Sequence, residues 1–189
     1  MNRRIVIFIV ALCIVGVGYI IADGMIVKEV RSDVEHVIFE DANELARDSD
    51  LIIEVTATNQ YENIVINDGG YVDGRTDTKV KVSKVIKGNE SSLKEHEYFT
   101  VTEPYFVLDN GVKPGETVYY YGDYTPLQEE SKYILFLAYS EGTDSYWVNS
   151  LSQGKYNIDE TDDIENQIMK MNDQYIDLKM DVLSTFDVD

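Results

Sequence analysis

Cysteine, histidine and proline are scarce in this sequence, with one, two and three residues in a chain of 189. The cysteine, Cys13, lies inside an uncharged apolar run near the N-terminus, so the rest of the chain forms no disulfide and offers no thiol chemistry. Zinc sites need several Cys or His ligands, and two histidines, His36 and His96, argue against one. A catalytic histidine base needs a nucleophile and an orienting group, and no spacing in the sequence suggests either for His36 or His96. Both are therefore expected to be ordinary surface residues.

Basic residues are also few: 16 Lys and Arg stand against 35 Asp and Glu, for a net charge of −19 at pH 7. Every acidic residue follows Ala22, whereas Arg3 and Arg4 precede it. Such a surface repels nucleic acid and anionic headgroups, which excludes nucleic acid as a partner. An acidic surface is compatible with a basic protein partner. The simpler interpretation is that it keeps the protein soluble in the cation-rich environment of a cell wall.

The longest run without charge is residues 5–22, 18 residues that decide where the rest of the chain lies. As a helix they would extend about 27 Å, close to the roughly 30 Å of a bilayer's hydrocarbon core. Basic residues stay on the cytoplasmic side, so Arg3 and Arg4 predict a single pass with the N-terminus inside. Residues 23–189 are then extracytoplasmic.

Two other interpretations of this run stay open. A cleaved signal peptide could end at the small residues of Gly16-Val17-Gly18, although the apolar Tyr19-Ile20-Ile21 beyond them favours an uncleaved anchor. A lipoprotein could be modified at Cys13, but Leu12 is not the small residue that a lipobox has at that position.

Residues 23–39 are predicted to be a stalk that leads from the membrane to the domain. A short helix could run on from the anchor there, since Val27, Val30, Val34 and Val37 recur at helical spacing. Residues 40–157 are predicted to form the main domain. It begins with a short helix over residues 40–48 and continues with β signals. The predicted strands are residues 51–57, 63–67, 78–86, 97–102, 117–121, 132–139 and 146–148.

Two details of these strands indicate their surroundings. The strand over residues 78–86 loses its alternation at Val85, which predicts a bulge near Lys84. The strand over residues 132–139 is apolar on both faces and is therefore expected to be central and covered on both sides.

Residues 158–189 change to helical periodicity. Asp162 is the predicted N-cap, with Glu165 as its capping-box partner, and the helix should run for about twenty residues. It is expected to fold back onto its own domain rather than grip a partner. Its apolar stripe consists of Ile164, Ile168, Met171, Tyr175, Leu178 and Val182.

The order of motifs resembles uncharacterised small membrane-anchored or lipoprotein surface proteins of Gram-positive bacteria. The first motif is a strand over residues 49–55 that begins with Ser-Asp-Leu-Ile. The second is a strand over residues 82–88 that ends in Lys-Gly, and the third is residues 130–137, where Ser131 replaces the usual turn glycine. The resemblance implies a mainly β fold: a small OB-like barrel, similar to netrin and metalloproteinase-inhibitor modules, with an N-terminal transmembrane helix and a C-terminal amphipathic helix. The inhibitory cysteine of those modules is missing, so no functional residue is transferred.

Two groups of residues are candidate sites. Asn67, Asp68, Asp73 and Asp77 crowd a glycine-containing loop and could bind calcium, although the EF-hand order is absent and a solvated hairpin is the simpler interpretation. Six aromatic residues fall within residues 105–124. Their rings could stack on sugar rings, or they could cover faces of the sheet. They are Tyr105, Phe106, Tyr119, Tyr120, Tyr121 and Tyr124.

The sequence therefore predicts a membrane-anchored extracytoplasmic module that binds a ligand and is not an enzyme. A cell-wall glycan or a basic protein is the expected partner, and no catalytic, cofactor or metal residue is assigned. The alternative is an accessory hydrolase or a carbohydrate-binding protein acting on cell-wall polymer, because clustered Asp and Glu could supply two catalytic carboxylates. Two close, buried carboxylates in a pocket would favour the hydrolase, and a shallow aromatic face would favour binding.

Overall fold

A computed structural model describes residues 23–88 and 93–187, and the fold is mainly β. The strands are β1 Val27–Ser32, β2 Leu51–Asp68, β3 Tyr71–Lys87, β4 Tyr98–Glu103, β5 Tyr105–Asp109, β6 Glu116–Tyr121, β7 Lys132–Ser140, β8 Ser145–Val148 and β9 Lys155–Asn157. The helices are α1 Ala42–Asp48, α2 Asp163–Met169 and α3 Asp173–Thr185, and a 3-10 turn spans Leu151–Gly154.

The larger sheet has the strand order β2-β3-β4-β8-β7-β9, and β2 also pairs with β7. The pairings β2–β3, β3–β4, β4–β8, β8–β7 and β7–β2 therefore form a cycle. All are antiparallel except β4–β8, which is parallel and meets at Thr102 and Trp147. The bulge predicted near Lys84 is confirmed, because Glu54 pairs with Lys84 and Val55 with Val82.

Strand β7 is covered on both faces, as its sequence predicts. Leu135 and Leu137 point into a core with Val55 and Val82 inside the cycle of strands. Ile134 and Phe136 point the other way, into a second core that includes residues of α1 and α3. Alternate side chains of one apolar strand thus serve two cores.

The smaller sheet has the order β1-β6-β5, and its strand β1 stands in place of the short helix predicted within residues 23–39. Residues 27–32 form a strand parallel to β6, from the Val27–Glu116 pair to the Ser32–Tyr121 pair. The helix prediction was wrong because valine itself favours strands, and because the edge of β6 supplies hydrogen-bond partners that no local pattern reveals.

The tail is two helices rather than the predicted single one. Asp162 caps α2 as predicted, accepting hydrogen bonds from the amides of Ile164 and Glu165. The Glu165 carboxylate, however, lies in the interior, where it accepts from Asn157 N (2.8 Å) and Lys179 Nζ (2.7 Å) instead of closing a capping box. Asn172 starts α3 with a cap of its own.

The predicted packing of the tail on its own domain is confirmed. Leu178 and Val182 of α3 are buried against Ile134 and Phe136. They lie on the face of β7 opposite to Leu135 and so belong to the second core rather than to the core inside the cycle of strands. The split of the predicted stripe also leaves Met171 exposed between the helices.

The predicted transmembrane helix, residues 5–22, lies outside the described residues. Within the described ranges, no helix has the length and apolar character needed to cross a membrane.

Candidate functional site

A groove of about 370 Å³ opens where the two sheets and the β7–β8 turn meet. We call it the Trp147 groove. Strand β3 supplies Asp73 and Arg75, β6 supplies Tyr121, and the β7–β8 hairpin supplies Thr143 and Trp147. Its full lining is Val34, Ile66, Asp73, Gly74, Arg75, Pro104, Tyr121, Thr143, Trp147 and Leu151.

Particular residues allow these strands to come together around the groove. A Cβ at Gly74 would lie 2.5 Å from the Ile64 carbonyl oxygen and 2.7 Å from Cγ of Phe106, so only glycine lets β3 pass so close to β5. The backbone pairing of Thr102 with Trp147 sets the indole beside the end of β4. Strand pairing therefore holds the groove's main aromatic residue in place.

The two aromatic rings of the groove have their polar atoms occupied by protein partners. Trp147 Nε1 donates to Thr143 Oγ1 at 2.8 Å. The Tyr121 hydroxyl donates to Asp73 Oδ1, and burial together with this hydrogen bond raises the pKa of Tyr121 above its ordinary value. These rings consequently offer a ligand their faces rather than their polar groups.

Two charged side chains of the groove keep unused hydrogen-bonding capacity. Arg75 Nε lies 3.3 Å from Asp77 Oδ1, which also accepts from the Thr102 hydroxyl at 2.7 Å. Within the described residues, the two Nη groups of Arg75 have no partner, and neither does Oδ2 of Asp73. Because the Arg75 side chain is only 19% exposed, its neighbours restrict the directions from which a ligand can reach these donors.

The proposed calcium loop is the far end of the β2–β3 ribbon. Asn67 pairs with Val72 and Asp68 with Tyr71 beside the turn, while Asp73 and Asp77 make the hydrogen bonds described above. In the part of the chain that the structure describes, no group of three or more His, Cys, Asp or Glu is arranged to hold a metal ion.

The two histidines lie on separate surface segments. His36 Nδ1 is 3.3 Å from the nearby Val34 carbonyl oxygen. His96 lies in the β3–β4 connection with a left-handed backbone, and both side chains are exposed. The structure does not bring them together.

The predicted tyrosine cluster mostly packs on itself. Phe106 and Tyr119 stack with ring centroids 4.9 Å apart, Tyr105 stacks on Tyr120 and Tyr124, and Phe106 and Tyr124 are buried. The cluster therefore covers sheet faces, and Tyr121 alone of these residues lines the groove. Sequence reasoning missed Trp147 and Arg75, although the presence of a single tryptophan in the chain was an available signal.

Apart from the Glu165–Lys179 pair, buried charged side chains form a cluster that we call the Lys155 network: Glu103, Tyr124, Tyr133, Lys155 and Asp162. Lys155 Nζ is 3.2 Å from Asp162 Oδ2, which also accepts from the Tyr133 hydroxyl at 2.9 Å. Glu103 accepts from Tyr124 (2.8 Å), from the Leu127 amide (2.8 Å) and from Thr78 (2.5 Å). Both carboxylates are sealed from solvent and fully hydrogen-bonded.

The two carboxylates of this network differ in their pKa values. Burial raises the pKa of Glu103 above its ordinary value, in spite of its three hydrogen-bond donors. Burial would also raise the pKa of Asp162, but the Lys155 charge, the Glu165 amide and the Tyr133 hydroxyl together lower it. Asp162 is thus held ionised, as the N-cap of α2 and the partner of Lys155.

In comparisons with known proteins, no family model matches this chain, and no curated protein matches it. The resemblance to anchored surface proteins of Gram-positive bacteria stays a prediction from the motifs of β2, β3 and β7. A function is inferred below from the geometry of the Trp147 groove.

Proposed function

We propose that this chain is a single-pass membrane protein whose extracytoplasmic, OB-type domain binds a cell-wall glycan in the Trp147 groove without catalysing a reaction. The observation that supports the ligand class most directly is the combination within one groove of ring faces with spare charged donors and acceptors. Sugar rings present apolar C–H faces together with hydroxyls that both donate and accept. The groove offers a complement to each.

The OB-type assignment is supported by the cycle of strand pairings. Taken in chain order, β2, β3, β4, β7 and β8 form a ring in which the third and fifth strands are parallel. In OB-folds, the loops after the first and the fourth strands border the ligand site, and such barrels bind oligosaccharides. Here the corresponding segments are the β2–β3 ribbon and the β7–β8 turn, which both line the Trp147 groove.

The sugar-binding roles are assigned residue by residue. Trp147 stacks its indole face on the apolar side of a sugar ring. The free Nη groups of Arg75 donate to ring hydroxyls, and the free oxygen of Asp73 accepts from a neighbouring one. Leaving such partly buried polar groups unpaired costs free energy, so a ligand with matching hydroxyls is preferred over an apolar ligand of the same shape.

Binding without hydrolysis is the form of the proposal that fits the lining of the groove. Glycoside hydrolysis usually uses two carboxylates that flank the scissile bond. Among the described residues, Asp73 is the one acidic residue that lines the groove, and the sealed acids Glu103 and Asp162 belong to the Lys155 network. The acidic surface also disfavours nucleic acid, the other usual ligand of OB-folds.

The membrane part of the proposal rests on the sequence. Residues 5–22 form a charge-free run of the required length, and the basic Arg3 and Arg4 favour an N-terminus on the cytoplasmic side. A domain held in this way lies between the membrane and the wall, where its glycan ligand is found.

The test is a titration of the full chain in detergent with soluble wall-glycan fragments. Trp147 is the only tryptophan, so its emission reports on the groove directly. Saturable change in emission, with matching heat in calorimetry, is expected. The variant Tyr98→Ala, which removes an exposed aromatic ring of β4 outside the groove, should bind like the parent. A response to a basic peptide but not to glycan would reject the proposal in favour of a protein partner.

A further inference from the structure

One end of the domain lies where the chain arrives from the charge-free run. Strands β1 and β6 are parallel, and their paired residues start at Val27 and Glu116 and end at Ser32 and Tyr121. Asp23 follows directly on residue 22, so the start of both strands is the end nearest to residues 5–22 in the sequence. Tyr121, at the other end, lines the Trp147 groove.

Four large apolar side chains are exposed at this near end. They are Met25 (77% exposed), Ile26 (47%), Val27 (59%) and Val112 (95%), and we call them the apolar tip. Single exposed apolar residues are ordinary, but a group of them at one end marks an interaction surface. Three come from the segment that enters β1, and the fourth comes from the β5–β6 loop.

Hydrogen bonds hold that loop against the entering segment. Gly115 N donates to Asp23 Oδ1 at 2.8 Å, and Glu116 N donates to the Ile26 carbonyl oxygen at 2.9 Å. A Cβ at Gly115 would lie 2.3 Å from the same carbonyl oxygen, so the close approach requires glycine. Val112, three residues before Gly115, therefore belongs to a loop that is held against the segment carrying Met25 and Ile26.

The short stretch of chain between residue 22 and Met25 limits which surface the apolar tip can contact. Met25 is three residues beyond Ala22, a reach of at most about 11 Å. The interfacial region on each side of a hydrocarbon core is roughly 5–8 Å thick. If residues 5–22 span the core, Met25 and the loop bound to its neighbours cannot move far from the headgroups. The nearby charges are mixed, with Lys28 and Lys113 among several acids, so apolar contact rather than headgroup charge is the attraction.

We propose that the apolar tip docks on the outer interface of the bilayer that residues 5–22 cross, and so sets the orientation of the domain. This inference rests on the membrane anchor of the proposed function, but not on the glycan. β1 and β6 then run outward from the membrane. Five residue steps of about 3.3 Å place the Trp147 end of the ladder about 17 Å further from the membrane than the tip.

The experiment places nitroxide labels on the full chain in vesicles of phosphatidylethanolamine and phosphatidylglycerol. In a Cys13→Ser background, Val112→Cys labels the tip, and Glu141→Cys labels the exposed β7–β8 turn beside the groove. Collision with oxygen, which concentrates in lipid, is compared with collision with a water-soluble nickel complex. The ratio of oxygen to nickel collisions should be several-fold higher at position 112 than at position 141.

Three results would overturn the inference. Equal ratios at the two positions would mean that the tip faces water. Strong dipolar broadening between labels at position 112 would mean that a second copy of the chain covers it. Failure of the chain to remain with the vesicles after alkaline washing would remove the anchor itself. Glycan binding measured through Trp147 is independent of all three, so failure of the tip and failure of the groove are distinguishable.

Discussion

The Lys155 network and the Trp147 groove both place charged groups beside aromatic rings, but they differ in how many of their polar atoms have hydrogen-bond partners within the protein. In the network, both carboxylates are buried and each of their oxygens has a donor. In the groove, the ring heteroatoms have partners, while the Nη groups of Arg75 and one oxygen of Asp73 have none among the described residues. A buried network must be complete to be stable, whereas a binding site keeps capacity for its ligand.

The strongest test of this contrast is Lys155→Ala. It leaves the Asp162 carboxylate buried without its cation and should lower the free energy of unfolding by about 3–5 kcal/mol. Chemical denaturation followed by circular dichroism measures the change. Lys132→Ala, an exposed lysine of β7, is the matched control and should change stability by less than about 0.5 kcal/mol. Equal effects would mean that the network does not stabilise the fold.

Trp147→Ala is expected to affect binding more than folding. Loss of the stacking face should weaken glycan affinity by about 2 kcal/mol, roughly 30-fold. Calorimetry must replace fluorescence here, because the variant has no tryptophan. An unchanged affinity in a folded variant would show that the ligand does not use the groove.

Arg75→Gln should have a smaller effect, about tenfold in affinity, because it removes charged donors but keeps an amide at a similar position. Each side chain of its ion pair with Asp77 is 19% exposed, and Asp77 keeps its hydrogen bond from Thr102, so the free energy of unfolding should fall by about 1–2 kcal/mol. Arg47→Gln is the control, since Arg47 pairs with Glu44 on the surface of α1. If both variants bind equally well, Arg75 is not a ligand residue.

The smallest expected effect is on the pH dependence of stability. The lowered pKa of Asp162 contributes stability that is present above its ordinary value of 3.8 and is lost as pH falls through the lower folded value. The raised pKa of Glu103 acts in the opposite sense. Its contribution is fully present below its ordinary value of 4.5 and is lost as pH rises through the folded value. Melting from acid to neutral pH measures both, with Asp162→Asn removing the first and Glu103→Gln the second. An unaltered profile in either variant would contradict the assignment.

Local patterns in the sequence were sufficient for much of the fold. Alternation and β-branching located β4, β7, two parts of β2 and the second half of β3, and the loss of phase at Val85 located the bulge. The polar cap at Asp162 located the start of α2. Each of these depends on residues within one or two turns or strand repeats of each other, which a sequence displays directly.

Three of the failures involve partners that are distant along the chain. Pairing of residues 27–32 with β6 made a strand out of a segment whose spacing also fits a helix. The buried Glu165–Lys179 pair took a residue that was predicted to close a capping box. The Trp147 groove combines Asp73, Tyr121 and Trp147, which three different hairpins bring together, so no sequence window contains the site.

The parallel ladder between β1 and β6 has a mechanical consequence. A wall ligand held in the Trp147 groove and an anchor before Asp23 would pull the domain from opposite ends of that ladder. The force would then run along the strands, and the hydrogen bonds between them would be loaded together in shear. Strands pulled apart at a hairpin end instead release their bonds one after another. The arrangement of β1 beside β6 would therefore let the domain transmit tension between wall and membrane without unzipping.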